Sequence, residues 1–183
     1  VMLIAPSDGD PANEQESIRI GDSANSLSDG KVTVSGNYFY RCWGESAEVV
    51  SSKSCANTYS GNYFHECRGT LTLRQGNGCL VEGNYFYGGP YYGSDEAGHI
   101  QNMGGVRIIG EDHIVRNNHF ENLTGIGYMA ALSLVRGEEN AALDGYAQVK
   151  NALVEENVFN ECVLAIHVNH GSNSNEKMTL PVV

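Results

Sequence analysis

The sequence predicts an all-β chain wound as a right-handed, single-stranded parallel β-helix, a solenoid cut at both ends, and three observations carry that prediction. First, a phrase recurs: Gly36-Asn37-Tyr38-Phe39, Gly61-Asn62-Tyr63-Phe64 and Gly83-Asn84-Tyr85-Phe86, with degenerate copies at Asn117-Asn118-His119-Phe120 and Glu156-Asn157-Val158-Phe159. Its asparagines lie 25, 22, 34 and 39 residues apart, which is a solenoid period with two insertions. Second, short alternating apolar phrases fall between the copies, and alternation of period two means a strand with one buried face. Third, 22 Gly, ten Tyr and only four Pro suit short strands and many turns rather than a helical bundle.

Taken in order, the strands are Ile18-Arg19-Ile20-Gly21, Val32-Thr33-Val34 before the first Asn-x-Phe, and Glu48-Val49-Val50-Ser51-Ser52-Lys53. Leu71-Thr72-Leu73-Arg74, Leu80-Val81, Val106-Arg107-Ile108-Ile109, Leu132-Ser133-Leu134 and Ile166-His167-Val168 follow. In such a coil, like residues of successive turns stack about 4.8 Å apart. Phe39, Phe64, Phe86, Phe120 and Phe159 are therefore expected to form an interior aromatic ladder, and Asn37, Asn62, Asn84, Asn118 and Asn157 a turn ladder that satisfies backbone groups. A leucine-rich repeat shares the period, but twelve scattered leucines do not keep its frame. Cys42, Cys67 and Cys162 each follow a ladder Phe by three residues and read as packed thiols; a Cys42–Cys67 bridge between coils is geometrically open.

The chain of 183 residues is one domain's worth and reads as part of a longer protein. With 11 Lys+Arg against 22 Asp+Glu its net charge is −11, which argues against nucleic acid and anionic membranes as partners. It contains no apolar run long enough to span a membrane. Five cysteines without a CxxC exclude a zinc ribbon. His113, His119 and His167 show no metal-ligand spacing and read as structural, and the pairs Glu111-Asp112, Glu138-Glu139 and Glu155-Glu156 as solvated turns.

One constellation could carry chemistry. Lys53 precedes Arg74 by 21 residues, one coil, so the two cations are expected side by side on adjacent rungs of one sheet. Two cations so placed repel unless an anion lies between them. Glu48 and Lys53 are an odd number of positions apart, so a bend near Ser51-Ser52 is expected if both face one cleft. Arg107 shares the outward parity of Thr72 and is a candidate for contact with a substrate carboxylate.

Several phrases together resemble polysaccharide lyase family 6, the β-helix lyases that include alginate lyases and dermatan-sulfate-cleaving chondroitinase B. They are Glu16-Ser17-Ile18-Arg19-Ile20-Gly21, Glu48-Val49-Val50-Ser51-Ser52-Lys53-Ser54-Cys55-Ala56-Asn57, Gly69-Thr70-Leu71-Thr72-Leu73-Arg74-Gln75-Gly76-Asn77, and Gly104-Gly105-Val106-Arg107-Ile108-Ile109-Gly110 with His113 and Asn117-Asn118-His119-Phe120-Glu121. The wording is closer to the alginate-acting members. The resemblance implies a secreted or periplasmic lyase that cleaves an acidic polysaccharide by β-elimination, with Lys53 as base and Arg74 as acid or charge stabiliser at the leaving oxygen. It implies Ca2+ held by Asn13, position 46 and Glu48, acting as a Lewis acid on the uronate carboxylate. Position 46 is Ser46 rather than an acid, which leaves three readings open: Glu45 substitutes through a local shift, the site is weaker, or the carboxylate is neutralised by cations without calcium. Gln75 stands where the family has His and can hydrogen-bond a sugar but not shuttle a proton. Two other readings stay open: a dermatan sulfate lyase, and a non-catalytic β-helix that grips anionic sugar. Hydrolysis by paired Asp, as in polygalacturonases, is disfavoured because the outward strand positions hold Lys and Arg.

Overall fold

In a computed structural model, residues 15–45, 47–90 and 102–170 are described. The chain coils repeatedly, laying down three short strands per turn. The first coil contributes β1 (Ile18–Gly21), β2 (Thr33–Ser35) and β3 (Tyr38–Tyr40), and the second β4 (Glu48–Lys53), β5 (Thr58–Ser60) and β6 (Tyr63–His65). The third supplies β7 (Gly69–Gln75), β8 (Leu80–Glu82) and β9 (Tyr85–Tyr87), and the fourth β10 (Met103–Ile108), β11 (Ile114–Arg116) and β12 (His119–Glu121). The fifth adds β13 (Leu132–Val135), β14 (Leu153–Glu155) and β15 (Val158–Asn160), after which β16 (Ile166–His170) opens a sixth.

Strands of equal rank pair in parallel, giving a six-stranded sheet β1-β4-β7-β10-β13-β16 and two five-stranded sheets. The fold is the predicted right-handed parallel β-helix. Alternation decides what is buried: Val50, Leu71, Val106 and Leu132 stand in register and point inward. The intervening row Arg19, Ser51, Thr72, Arg107, Ser133 and His167 runs unbroken along the outer face of the first sheet.

Both predicted ladders form. Phe39, Phe64, Phe86, Phe120 and Phe159 stack with ring centroids 4.5, 4.6, 5.0 and 4.9 Å apart and nearly parallel planes. Each such pair adds about 0.5–1.5 kcal/mol beyond its buried area. Asn62 shows what the asparagines do: its Nδ2 donates to Val34 O and to Asn84 Oδ1, and its Oδ1 accepts from the Asn37 backbone N–H at 3.0 Å. The residue before each ladder Asn is left-handed, and Gly61 and Gly83 take φ of 61° and 63° at no steric cost. All five cysteines are free thiols, so Cys42 and Cys67 pack as neighbours rather than as a bridge.

Candidate active site

The site is built on the outer face of the six-stranded sheet, where two bulges re-aim side chains. In β4, Glu48 pairs with Thr70 and Val50 with Leu71, so Val49 is the extra residue. The bend expected near Ser51-Ser52 is present as irregularities on either side of that pair, at Val49 and between Ser52 and Lys53, while Ser51 and Ser52 themselves pair regularly with Thr72 and Leu73. Slipping one residue at Val49 turns Glu48 to the same face as Thr70 and Arg107. Glu48 Oε1 lies 3.9 Å from Arg107 Nη1.

The second bulge corrects the expected Lys53–Arg74 pairing. Ser52 pairs with Leu73 but Lys53 with Gln75, so Arg74 is the unpaired extra residue of β7. Counting 21 residues per coil puts Arg74 opposite Lys53, but the bulge moves Gln75 into that slot and swings Arg74 out. Its guanidinium turns to the segment between β13 and β14, where Nη1 donates to Gly145 O at 2.8 Å and Nη2 to Asp144 O at 3.2 Å. Its Cζ sits 3.9 Å from the centre of the Tyr146 ring. No carboxylate lies within 4 Å of Arg74 among the described residues, so its charge is held by neutral groups alone.

Lys53 ends β4 beside a polar cleft of about 260 Å³ that it shares with Arg19, Gly21, Asp22 and Ser23. Its ammonium forms no ion pair among the described residues. Asp22, which lines the same cleft, is engaged elsewhere: its carboxylate accepts from the Asn25 side chain and backbone, which hold its pKa below the usual value. Close packing at the ends of these strands demands glycine. Gly76 (φ 84°) follows Arg74-Gln75, and a Cβ there would meet Ser54 C at 2.4 Å.

The remaining predicted residues fall into place unevenly. Arg107 is on the expected outward row, but only 3% of it is exposed. Tyr128 covers it at 4.6 Å, Tyr146 lies 5.6 Å away, and its Nε is without a partner. It is thus not a surface residue reaching for solvent. Gln75 is 6% exposed with Oε1 unpaired. Glu48 is 7% exposed and meets only Arg107 among the described residues, beyond hydrogen-bond distance, so a buried carboxylate is left poorly compensated. Glu45 is half-buried ahead of β4, while Asn13 and Ser46 lie outside the described residues. No three acidic, His or Cys side chains converge among the described residues.

Sequence reasoning missed Tyr128 and Tyr146. The signal was the widest spacing of the ladder asparagines, Asn118 to Asn157, which marks an excursion without saying where it folds.

The sequence matches the chondroitinase B family over residues 4–183. Among solved structures, the PL6 family alginate lyase AlyGC is 36% identical over 94% of this chain, with a TM-score of 0.75. A mannuronic acid specific polysaccharide family 6 lyase from human gut microbiota is 31% identical over 93% of the chain, also at 0.75. The alginate lyase AlyF-OU02, in complex with G6, is 26% identical over 91%, again at 0.75. The chain spans 22% of the length of the first and 36% of the other two. A search of curated protein sequences gave no match.

Proposed function

The chain belongs to the chondroitinase B family, and from that premise we propose that its six-stranded sheet cleaves an acidic uronate polymer, alginate, by β-elimination. One observation supports the reading: Lys53 and Arg74 lie at the ends of adjacent strands of the six-stranded sheet, and neither cation is neutralised by a carboxylate among the described residues. Two unneutralised cations suit a polyanion. Alginate is favoured over other uronate polymers because the similar structures are alginate lyases.

In the reaction, Lys53 is the base that takes the C5 proton of a bound uronate. The C–H electron pair forms the C4=C5 double bond as the C4–O bond breaks. The leaving oxygen, steadied by the Arg74 guanidinium, takes a proton from water to become the hydroxyl of the new reducing end, and the proton gained by Lys53 passes to the hydroxide so formed. Arg107, too buried to meet solvent, and Gln75, opposite Lys53, shape the floor on which the sugar lies.

Calcium belongs to the same proposal. Glu48 has the chemistry for it, a buried carboxylate whose one cationic neighbour, Arg107, stands beyond hydrogen-bond distance at 3.9 Å, and Glu45 and Asn13 would complete the set. Bound there, the ion would neutralise the uronate carboxylate beside the scissile proton.

Incubation of the protein with alginate, followed by ultraviolet absorbance of the conjugated product, tests the reading. The wild type is expected to give a steady rise and Lys53→Ala a loss of about 10²-fold or more. Chelation should stop the rise and added Ca2+ restore it. An undiminished rate in Lys53→Ala sinks the base assignment, and a chelation-proof rate sinks the calcium site. The family's own description favours one second reading, a dermatan sulfate lyase; a rise on dermatan sulfate but not on alginate would establish it.

A further inference from the structure

The excursion between β13 and β14 reaches beyond the coil it belongs to. Residues 137–147 form a strap, closed at its base by Glu138 N–H to Tyr146 O (2.8 Å) and Gln148 N–H to Glu138 O (3.0 Å). The strap runs back along the ends of the first-sheet strands. With Ser26, Arg74, Gln75 and Gly110 it encloses a cavity of about 190 Å³. Its tip is latched to the first coil, where Ser26 Oγ donates to Leu143 O at 3.1 Å. An element of the fifth coil thus reaches four rungs back, roughly 19 Å at about 4.8 Å per rung, and grips Arg74 on the way.

We propose that Tyr146 is a positioning residue for Arg74, holding the guanidinium by its ring face while the Asp144 and Gly145 carbonyls fix the plane. A bulge residue has lost its place in the ladder, so nothing in β7 itself sets the direction of the Arg74 side chain. A carboxylate would hold it more firmly but would cancel the charge that the reaction uses. An aromatic face and two carbonyls hold it with the charge intact and leave further N–H donors free. The same ring lies 5.6 Å from the Arg107 guanidinium, so it stands within reach of both cations. This inference rests on the reading of Arg74 as the group at the leaving oxygen.

The test compares Tyr146→Phe, Tyr146→Leu, Arg74→Ala and the Arg74→Ala/Tyr146→Leu double variant on alginate. Phenylalanine keeps the ring face and should retain most of the wild-type kcat. Leucine fills the space without a π-face and should lower kcat about 10- to 100-fold with KM little changed. In the Arg74→Ala background, Tyr146→Leu should cost nothing further. A phenylalanine variant as impaired as the leucine one overturns the proposal, since the hydroxyl would then act directly. So does a leucine penalty that persists without Arg74. A second readout does not need activity: the Arg74 Nε–H proton resonance, identified by its loss in Arg74→Ala. It should be shielded by the ring in wild type and Tyr146→Phe and return to the free-arginine position in Tyr146→Leu. An unshielded wild-type resonance overturns the contact. A shielded one in a protein inert toward alginate upholds the contact and sinks the alginate reading instead.

Discussion

His113 sits at the corner between the first and second sheets with no exposed surface, and its two nitrogens are fully committed. Nδ1 accepts from Cys79 N–H at 3.1 Å and Nε2 donates to Ile109 O at 3.0 Å, a pairing that only the neutral ring can make. Asn57 does the same work at this corner two coils earlier, accepting from Val32 N–H at 3.1 Å. Burial is the main cause that drives the His113 pKa down, to about 4. Because the folded pKa lies below the unfolded 6.5, the stability it confers is complete above pH 6.5 and drains away as pH falls toward 4. Thermal melts across that window should lose on the order of 3 kcal/mol from this residue. His113→Asn should flatten the slope; a slope unchanged in that variant would place the acid sensitivity elsewhere. The structural reading of His113 was available from the absence of metal spacing. The burial of Arg107 was not, because parity says which face a residue takes but not what later folds over it.

At the scale of elements, the asparagine ladder matters more in its middle than at its end. Asn84 accepts from both the backbone N–H and the Nδ2 of Asn62 at 2.9 Å and donates to Tyr59 O and Asn118 Oδ1. Alanine there strands several buried groups at once and should cost about 3 kcal/mol or more. Asn37, at the head of the ladder, only donates, to Ser35 O and Asn62 Oδ1. Asn37→Ala should therefore cost about 1 kcal/mol, and equal denaturant midpoints for the two variants would contradict the ladder's role. The recurring phrase revealed these rungs because each copy solves the same local problem with the same residues. The bulges at Val49 and Arg74 were not legible in this way. A bulge is a mismatch between two strands, so neither strand's sequence contains it, and the count of 21 residues gave the wrong partner for Lys53.

For the whole molecule, the net charge of −11 and the cationic site act over different distances. At about 0.01 M salt the Debye length is about 30 Å and a polyanion meets the acidic body first; at about 0.15 M it is about 8 Å and only the local field of Lys53, Arg74 and Arg107 is felt. kcat/KM on alginate should therefore rise over that range and fall at higher salt, whereas a monotonic fall from the lowest salt would show that the local field governs throughout. The sequence by itself determined the coil, its period, the two ladders and the strands that carry Lys53, Arg74 and Arg107, because stacking makes every coil answer to the same short pattern. The tertiary structure alone decided that Arg74 leaves the ladder, that Tyr146 from two coils away meets it, and that Arg107 is roofed over. Those contacts join segments of different coils through an excursion outside the repeat, where no periodicity constrains the chain and only packing fixes its path.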